Sequence, residues 1–162
     1  KSSKLDLLCV RPFNTFGPFQ SEKAIIPEII IKCLQNKEIK TTEGKQTREF
    51  NYISNIIDGI LHLNKKIKNR IEPINVGSNK PISIKQLVKK IHKYTKSKSK
   101  LKIGALNYRP NEIWKMQANN KFLLSQGWKE KISFDEGLKN TVKWYSKFFN
   151  FYLDKNNSFK NL

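Results

Sequence analysis

Apolar residues recur along the chain in two rhythms that take turns. Residues 5–10 (LDLLCV) form a short, nearly continuous apolar run, which predicts a strand fully buried in a parallel sheet. Residues 11–20 (RPFNTFGPFQ) carry two prolines, a glycine and an asparagine, which predicts a loop at that strand's carboxyl end. Pro27 suits the first turn of a helix, and Ile29, Ile30, Ile31, Cys33 and Leu34 supply its apolar set up to Asn36. Residues 39–42 predict a short strand closed by Glu43-Gly44-Lys45. From 48 to 53 (REFNYI) the pattern alternates, Phe50 and Tyr52 against Glu49 and Asn51.

The second half continues the alternation. Ser54 is the expected N-cap of a helix carrying Ile56, Ile57, Ile60, Leu61 and Leu63. Residues 74–76 predict a strand, with Gly77-Ser78-Asn79 as its turn. Ser83 with Gln86 three residues on reads as a capping box, ahead of a helix whose apolar face is Ile84, Leu87, Val88 and Ile91. Residues 101–103 form a strand and 106–116 an irregular stretch. Asn119 or Asn120 caps a short helix over Phe122, Leu123 and Leu124 that Gly127 closes. Ser133 and Glu136 open a last helix over 134–145. Strands alternating with helices indicate an α/β fold. Long buried strands are too few for a complete doubly wound sheet, and no G-x-G-x-x-G follows a strand. There is no internal repeat. The expected organisation is one unit over 1–153 and a polar, frayed tail over 154–162.

Composition changes this picture in one respect. A net charge of +19 raises nucleic acid as a partner. Only four basic residues are Arg, however: Arg11, Arg48, Arg70 and Arg109. Lys, Ile and Asn make up 64 of the 162 residues, a bias that AT-rich codons produce by themselves. Arg is the usual reader of bases and the lysines are spread out, so nucleic-acid binding is disfavoured. A positive surface still attracts anionic small molecules. Cys9 and Cys33 sit in apolar segments at no metal-ligand spacing and read as buried thiols of a reduced, cytoplasmic protein. No apolar run reaches the ~18 to 20 residues a membrane helix needs. The opening Lys1-Ser2-Ser3-Lys4 leads the chain to be read as a piece of a longer protein.

Some residues carry candidate chemistry. Asn14 lies just past the first strand, where α/β sheets bind ligands, and its amide can both donate and accept. Arg48 follows a Gly-Lys-Gln-Thr loop, and its planar guanidinium can grip two phosphate oxygens, unless it pairs with Glu43 or Glu49. His62 and His92 have no second ligand at metal spacing and read as surface or helix-end residues. Trp114, Trp128 and Trp144 read as core.

Six motifs stand in order: RPFNTFGP (11–18), AIIPEII (24–30), GKQTREFNYISNIIDGI (44–60), INVGS (74–78), YRPNEIWKM (108–116) and GWKEKISFDEGLKNTVKWY (127–145). Together they resemble the C-terminal half of the extended short-chain dehydrogenase/reductase family. Within it they are most similar to the NAD-dependent epimerases and dehydratases of nucleotide sugars, with a 4,6-dehydratase-like branch nearest. The resemblance spans residues 5 to about 149. It implies the last strands of a Rossmann-type NAD(P)-binding fold plus the small substrate-binding domain. It also implies a nucleotide-sugar substrate, an N-terminal Rossmann half as partner, and a homodimer of the intact enzyme.

By this resemblance Asn14 contacts the substrate, Arg48 and Arg109 bind its diphosphate, and Ile26 and Pro27 lie by the nucleotide base. Pro12 and Phe13 pass the edge of NAD or NADP, which the N-terminal half mainly holds. Asn14, Arg48 and Arg109 are therefore expected on one anionic site. The family's glycine loop is not in this sequence, and the Tyr-x-x-x-Lys spacing it does hold, Tyr94 to Lys98, lies downstream of RPFNTFGP where the family's pair lies upstream, so no catalytic residue is assigned and no turnover is expected of the chain alone. Asn111 and Glu112 stand where relatives have Gly and Asp. Asn55 and Asn119 replace two further aspartates, which removes any role needing a carboxylate there. A non-catalytic basic binding module for nucleic acid or an acidic partner, and an inactive gene fragment, remain the rival readings.

Overall fold

The computed structural model describes residues 6–153. The expected polar tail over 154–162 and Leu5 at the chain's start lie outside them. The elements run β1 (Leu8–Pro12), β2 (Thr15–Phe16), α1 (Ile25–Leu34), β3 (Ile39–Thr41), β4 (Thr47–Glu49), β5 (Asn51–Tyr52), α2 (Ile53–Lys66), β6 (Arg70–Val76), β7 (Pro81–Ser83), α3 (Ile84–Thr95), β8 (Leu101–Ile103), β9 (Lys115–Met116), α4 (Lys121–Ser125), α5 (Phe134–Lys147) and α6 (Phe149–Leu153). β1 pairs in parallel with β6, β2 with β5, and β3 with β8. β4 lies between antiparallel β7 and parallel β9. The fold is α/β, as the alternation predicts.

Two apolar clusters hold these pieces. The larger packs α1, α3 and α5 together around Phe16, Ile30, Leu87, Ile91, Leu138 and Tyr145. The smaller packs α2 and α4 against the β1–β6 pair through Ile56, Leu63, Ile74, Val76, Leu123 and Trp128. Among the described residues no helix is long and apolar enough to cross a membrane.

Local signals formed as read where the partners are near in sequence. Ser83 accepts from the Gln86 N–H at 3.1 Å and Gln86 Oε1 accepts from the Ser83 N–H at 2.9 Å, a complete capping box. The Ser133 hydroxyl accepts from the Glu136 N–H at 3.2 Å.

Five expectations are corrected. The first strand sits at 8–12 and is half-buried, then exposed at Arg11 and Pro12; Leu7 is 53% exposed. Its hydrogen bonds go to β6 on one edge, and no strand among the described residues covers the other. Ser54 is not a cap: α2 starts two residues earlier than that cap implies, at Ile53 after Tyr52, because the chain turns from β5 straight into the helix. Trp114 is exposed and leans on Tyr108, ring centroids 4.8 Å apart, on the irregular loop. Cys9 is half-buried, while burial pushes the Cys33 thiol up from its ordinary value. The alternation over 48–53 has its polar face inside: Glu49 and Asn51 are more deeply buried than Phe50.

Candidate functional site

The inverted strand explains how the site is built. Successive side chains of a strand point to opposite faces. Gln46, Arg48 and Phe50 face a cavity of about 780 Å³, and Glu49 and Asn51 face the interior. Inside, the Glu49 carboxylate accepts from Asn51 Nδ2 at 3.0 Å and from the Ala118 N–H. Asn51 Oδ1 accepts from the Ser78 N–H at 2.8 Å, and Asn120 Nδ2 donates to Gly77 O at 2.8 Å. A buried charge is tolerated when its oxygens are satisfied in this way. A methyl group on Gly77 would overlap Glu49 Oε1, so glycine is needed where β6 ends. The hub ties the ends of β1 and β6 to β4, β5 and β9.

Asn14 is held from this hub. Its Nδ2 donates to Glu49 O at 3.2 Å and approaches Met116 Sδ at 3.8 Å. Its own carbonyl accepts from the Asn51 N–H at 2.8 Å. Arg48 is steered by an ion pair with Glu112 at 2.8 Å, their side chains 15% and 14% exposed, and by donating Nη1 to Thr47 O at 2.8 Å. Its carboxylate partner is thus neither Glu43, which pairs with Lys45, nor Glu49. Arg109 is exposed on the loop after β8, and no side-chain hydrogen bond or ion pair holds it among the described residues.

Asn14, Arg48, Arg109 and Ile26 line this one cavity. Pro27 is buried in the first turn of α1 and is not on the wall. Pro12 and Phe13 are not on it either; the Phe13 N–H donates to Val76 O at 3.0 Å. Four cations (Lys32, Lys40, Arg48, Arg109) and two carboxylates (Glu28, Glu112) line the cavity, so its field favours an anion. Two wall acceptors, Gln20 Oε1 and Gln46 Oε1, are buried without a partner. Sequence reasoning passed over Gln46 and named Glu112 only as standing for a relative's Asp, not as the partner of Arg48. Gln46 shares strand parity with Arg48, and that signal could have found it.

Other candidates resolve simply. His62 Nε2 meets Gln126 O at 2.8 Å and His92 Nε2 meets Ser99 O at 2.9 Å. No group of three metal-ligating side chains occurs among the described residues. Asn55 Nδ2 donates to Ile132 O at 2.7 Å while Oδ1 accepts from the Ile132 N–H at 3.1 Å. An ionised aspartate could make the second bond but not the first.

The profile of the NAD dependent epimerase/dehydratase family matches residues 1–77. CDP-abequose synthase of Salmonella muenchen is 33% identical over 130 residues, covering 80% of this chain and 44% of the relative. Human dTDP-D-glucose 4,6-dehydratase is 30% identical over 152 residues, covering 90% of this chain and 43% of the relative. The solved UDP-N-acetylglucosamine 4-epimerase of Methanobrevibacter ruminantium, in complex with UDP-N-acetylmuramic acid, superposes with a TM-score of 0.79 at 30% identity. That match covers 90% of this chain and 48% of the epimerase. The chain therefore spans a little under half the length of the relatives it matches.

Proposed function

Because this chain belongs to the NAD-dependent epimerase/dehydratase family, we propose that it supplies the substrate-binding portion of a nucleotide-sugar epimerase or 4,6-dehydratase. In this reading residues 1–153 act as one unit, and the cavity holds the nucleotide diphosphate of the sugar. The observation that carries it is the convergence of Arg48, Arg109 and Asn14 on one cavity with a cationic excess. A guanidinium can hold two phosphate oxygens at once. Arg109 has no competing partner among the described residues, and Arg48 keeps further N–H donors beyond those given to Glu112 and Thr47 O. Asn14, fixed at the carboxyl end of β1, is left to orient the sugar. These residues bind and orient, which is how remote contacts lower a barrier elsewhere.

The family's NAD supplies hydride exchange with the sugar, usually at C4. The glycines among the described residues do not form a dinucleotide cradle. The space at Gly77 is taken by Glu49, and a methyl group at Gly17 would lie 2.6 Å from Ile53 Cγ2. We assign NAD binding to an N-terminal Rossmann half that extends the sheet at the open edge of β1. The half-covered β1 and the exposed Leu7 and Ile71 support that partner.

Calorimetric titration of the chain with UDP, dTDP and CDP tests the reading. Saturable binding is expected, and Arg109→Ala should weaken it about tenfold or more, since hydrogen bonds to charged groups are worth about 1.5 to 3 kcal/mol. No binding of any nucleoside diphosphate would overturn it.

A further inference from the structure

We infer that Gln46 recognises the nucleoside of the bound ligand, its Oε1 accepting a hydrogen bond from a base N–H or a ribose hydroxyl. The inference rests on the proposed reading of the cavity as a nucleotide-sugar site and adds a residue to it. It starts from an atom with no partner. Gln46 is 8% exposed, lies on the cavity wall, and its Oε1 makes no hydrogen bond. A buried amide oxygen left bare is costly, and polar atoms so placed are normally satisfied by protein, water or ligand. The other end of the amide is committed. Nε2 donates to Thr42 Oγ1 at 3.5 Å, and that hydroxyl also accepts from the Gly44 N–H at 3.2 Å. With Nε2 within reach of Thr42 Oγ1, Oε1 is the amide atom left without a partner.

Position along the strand decides which part of a ligand it meets. The Asn51 N–H is bonded to Asn14 O, so Asn14 stands at the far end of the strand from Gln46. The Asn14 amide itself meets Glu49 O, three residues from Gln46 or about 10 Å of extended chain. Arg48 lies between them on the same face. A ligand with its diphosphate at Arg48 and its sugar at Asn14 therefore has its nucleoside at Gln46. The wall there is mixed: the Ile84 N–H donates to Gln46 O at 3.1 Å, and Ile39, Lys40 and Thr41 of β3 line the same cavity. An amide oxygen carries no charge to pair and accepts from a neutral N–H or O–H donor.

The test is calorimetry on the full 162-residue chain with UDP and with inorganic pyrophosphate. Gln46→Met keeps the shape and removes the acceptor. It should weaken UDP about five- to tenfold and leave pyrophosphate unchanged, the size of one lost hydrogen bond. Arg109→Ala should weaken both. If Gln46→Met proves unfolded by circular dichroism, the wild-type chain decides with two analogues, N3-methyl-UDP and 2′-deoxy-UDP. A similar loss with the first places the donor on the base, and with the second on the ribose. Equal affinity for UDP and both analogues overturns the inference while leaving the site reading intact. So does an equal loss of UDP and pyrophosphate in a folded Gln46→Met. If the wild-type chain binds neither UDP nor pyrophosphate, the site reading fails and the inference falls with it.

Discussion

The region around α1, α3 and α5 closes on itself, whereas the region around β1, β6, α2 and α4 is half open. In the first, three helices cover one another and bury Ile30, Leu87, Ile91, Leu138 and Tyr145 completely. In the second, a two-stranded sheet meets two helices, and Leu7, Ile57, Leu61, Ile71 and Leu124 stay exposed. A sheet has two faces and two edges, and one layer of helices satisfies half of that. The closed region is a body that carries its own core. The open region leaves one edge of β1 unpaired among the described residues, and residues of the closed region such as Ile26, Ile29 and Ile84 wall the cavity.

That contrast can be broken by mutation. Leu138→Ala deletes a fully buried side chain of the closed region and should cost about 2 to 5 kcal/mol. Ile71→Ser changes a residue 73% exposed on β6 and should stay within about 0.5 kcal/mol. Urea denaturation of both variants measures the difference. Comparable losses would mean that the two regions are equally packed.

A smaller effect sharpens the seam between them. Gly77 ends β6 in the open region, and Glu49 belongs to the strand that walls the cavity. Gly77→Ala forces a methyl onto Glu49 Oε1, overpacking that should cost about 1 to 3 kcal/mol. Glu49→Ala strips the Ala118 N–H and Asn51 Nδ2 of their acceptor and is damaging by itself. The double variant should lose less than the sum, because the alanine at 77 then finds the room the carboxylate vacated. Strict additivity would show that the seam is not built on this contact.

How far the chain was legible follows the same seam. Ser83 with Gln86, and Ser133 with Glu136, depend on residues three apart, so pattern alone finds them. Asn14, Arg48 and Arg109 were expected together, and the cavity wall brings them together. Glu49 and Asn51 were read only as the polar members of an alternation with Phe50 and Tyr52. Their burial depends on Ala118 and Ser78, far along the chain, and no local alternation reports that. Arg48 was read beside its sequence neighbours, yet its carboxylate is Glu112, 64 residues away. The first strand was read as fully buried because its composition suits a sheet interior. Composition records the environment a strand is built for, and β1 pairs along one edge among the described residues.

The smallest expected effect is one of pH, and each region supplies a carboxylate for it. In the open region Asp58 on α2 lies below the usual carboxylate range, chiefly through its hydrogen bond from the Lys131 ammonium and also through the Trp128 indole N–H at 3.0 Å. In the closed region Asp135 on α5 is lowered mainly by the Lys90 ammonium at 2.7 Å, with the Tyr94 hydroxyl at 2.7 Å adding to it. A carboxyl whose folded pKa is depressed stabilises the fold above its unfolded value, about 3.9 for Asp. That contribution is lost as pH falls through the lower folded value. Stability should therefore hold steady through neutral pH and decline below about pH 4. Both pairs are at least partly exposed, so each should be worth about 0.2 to 1 kcal/mol and weaken in high salt. Asp58→Asn and Asp135→Asn should each flatten the acid limb of a plot of urea midpoint against pH, and the double variant should flatten it further. If both regions unfold as one unit, the two single variants act on one shared transition. If Asp58→Asn moves only the Trp128-dominated signal and leaves the helical signal in place, the open region melts by itself, and the contrast between the two regions is thermodynamic as well as structural.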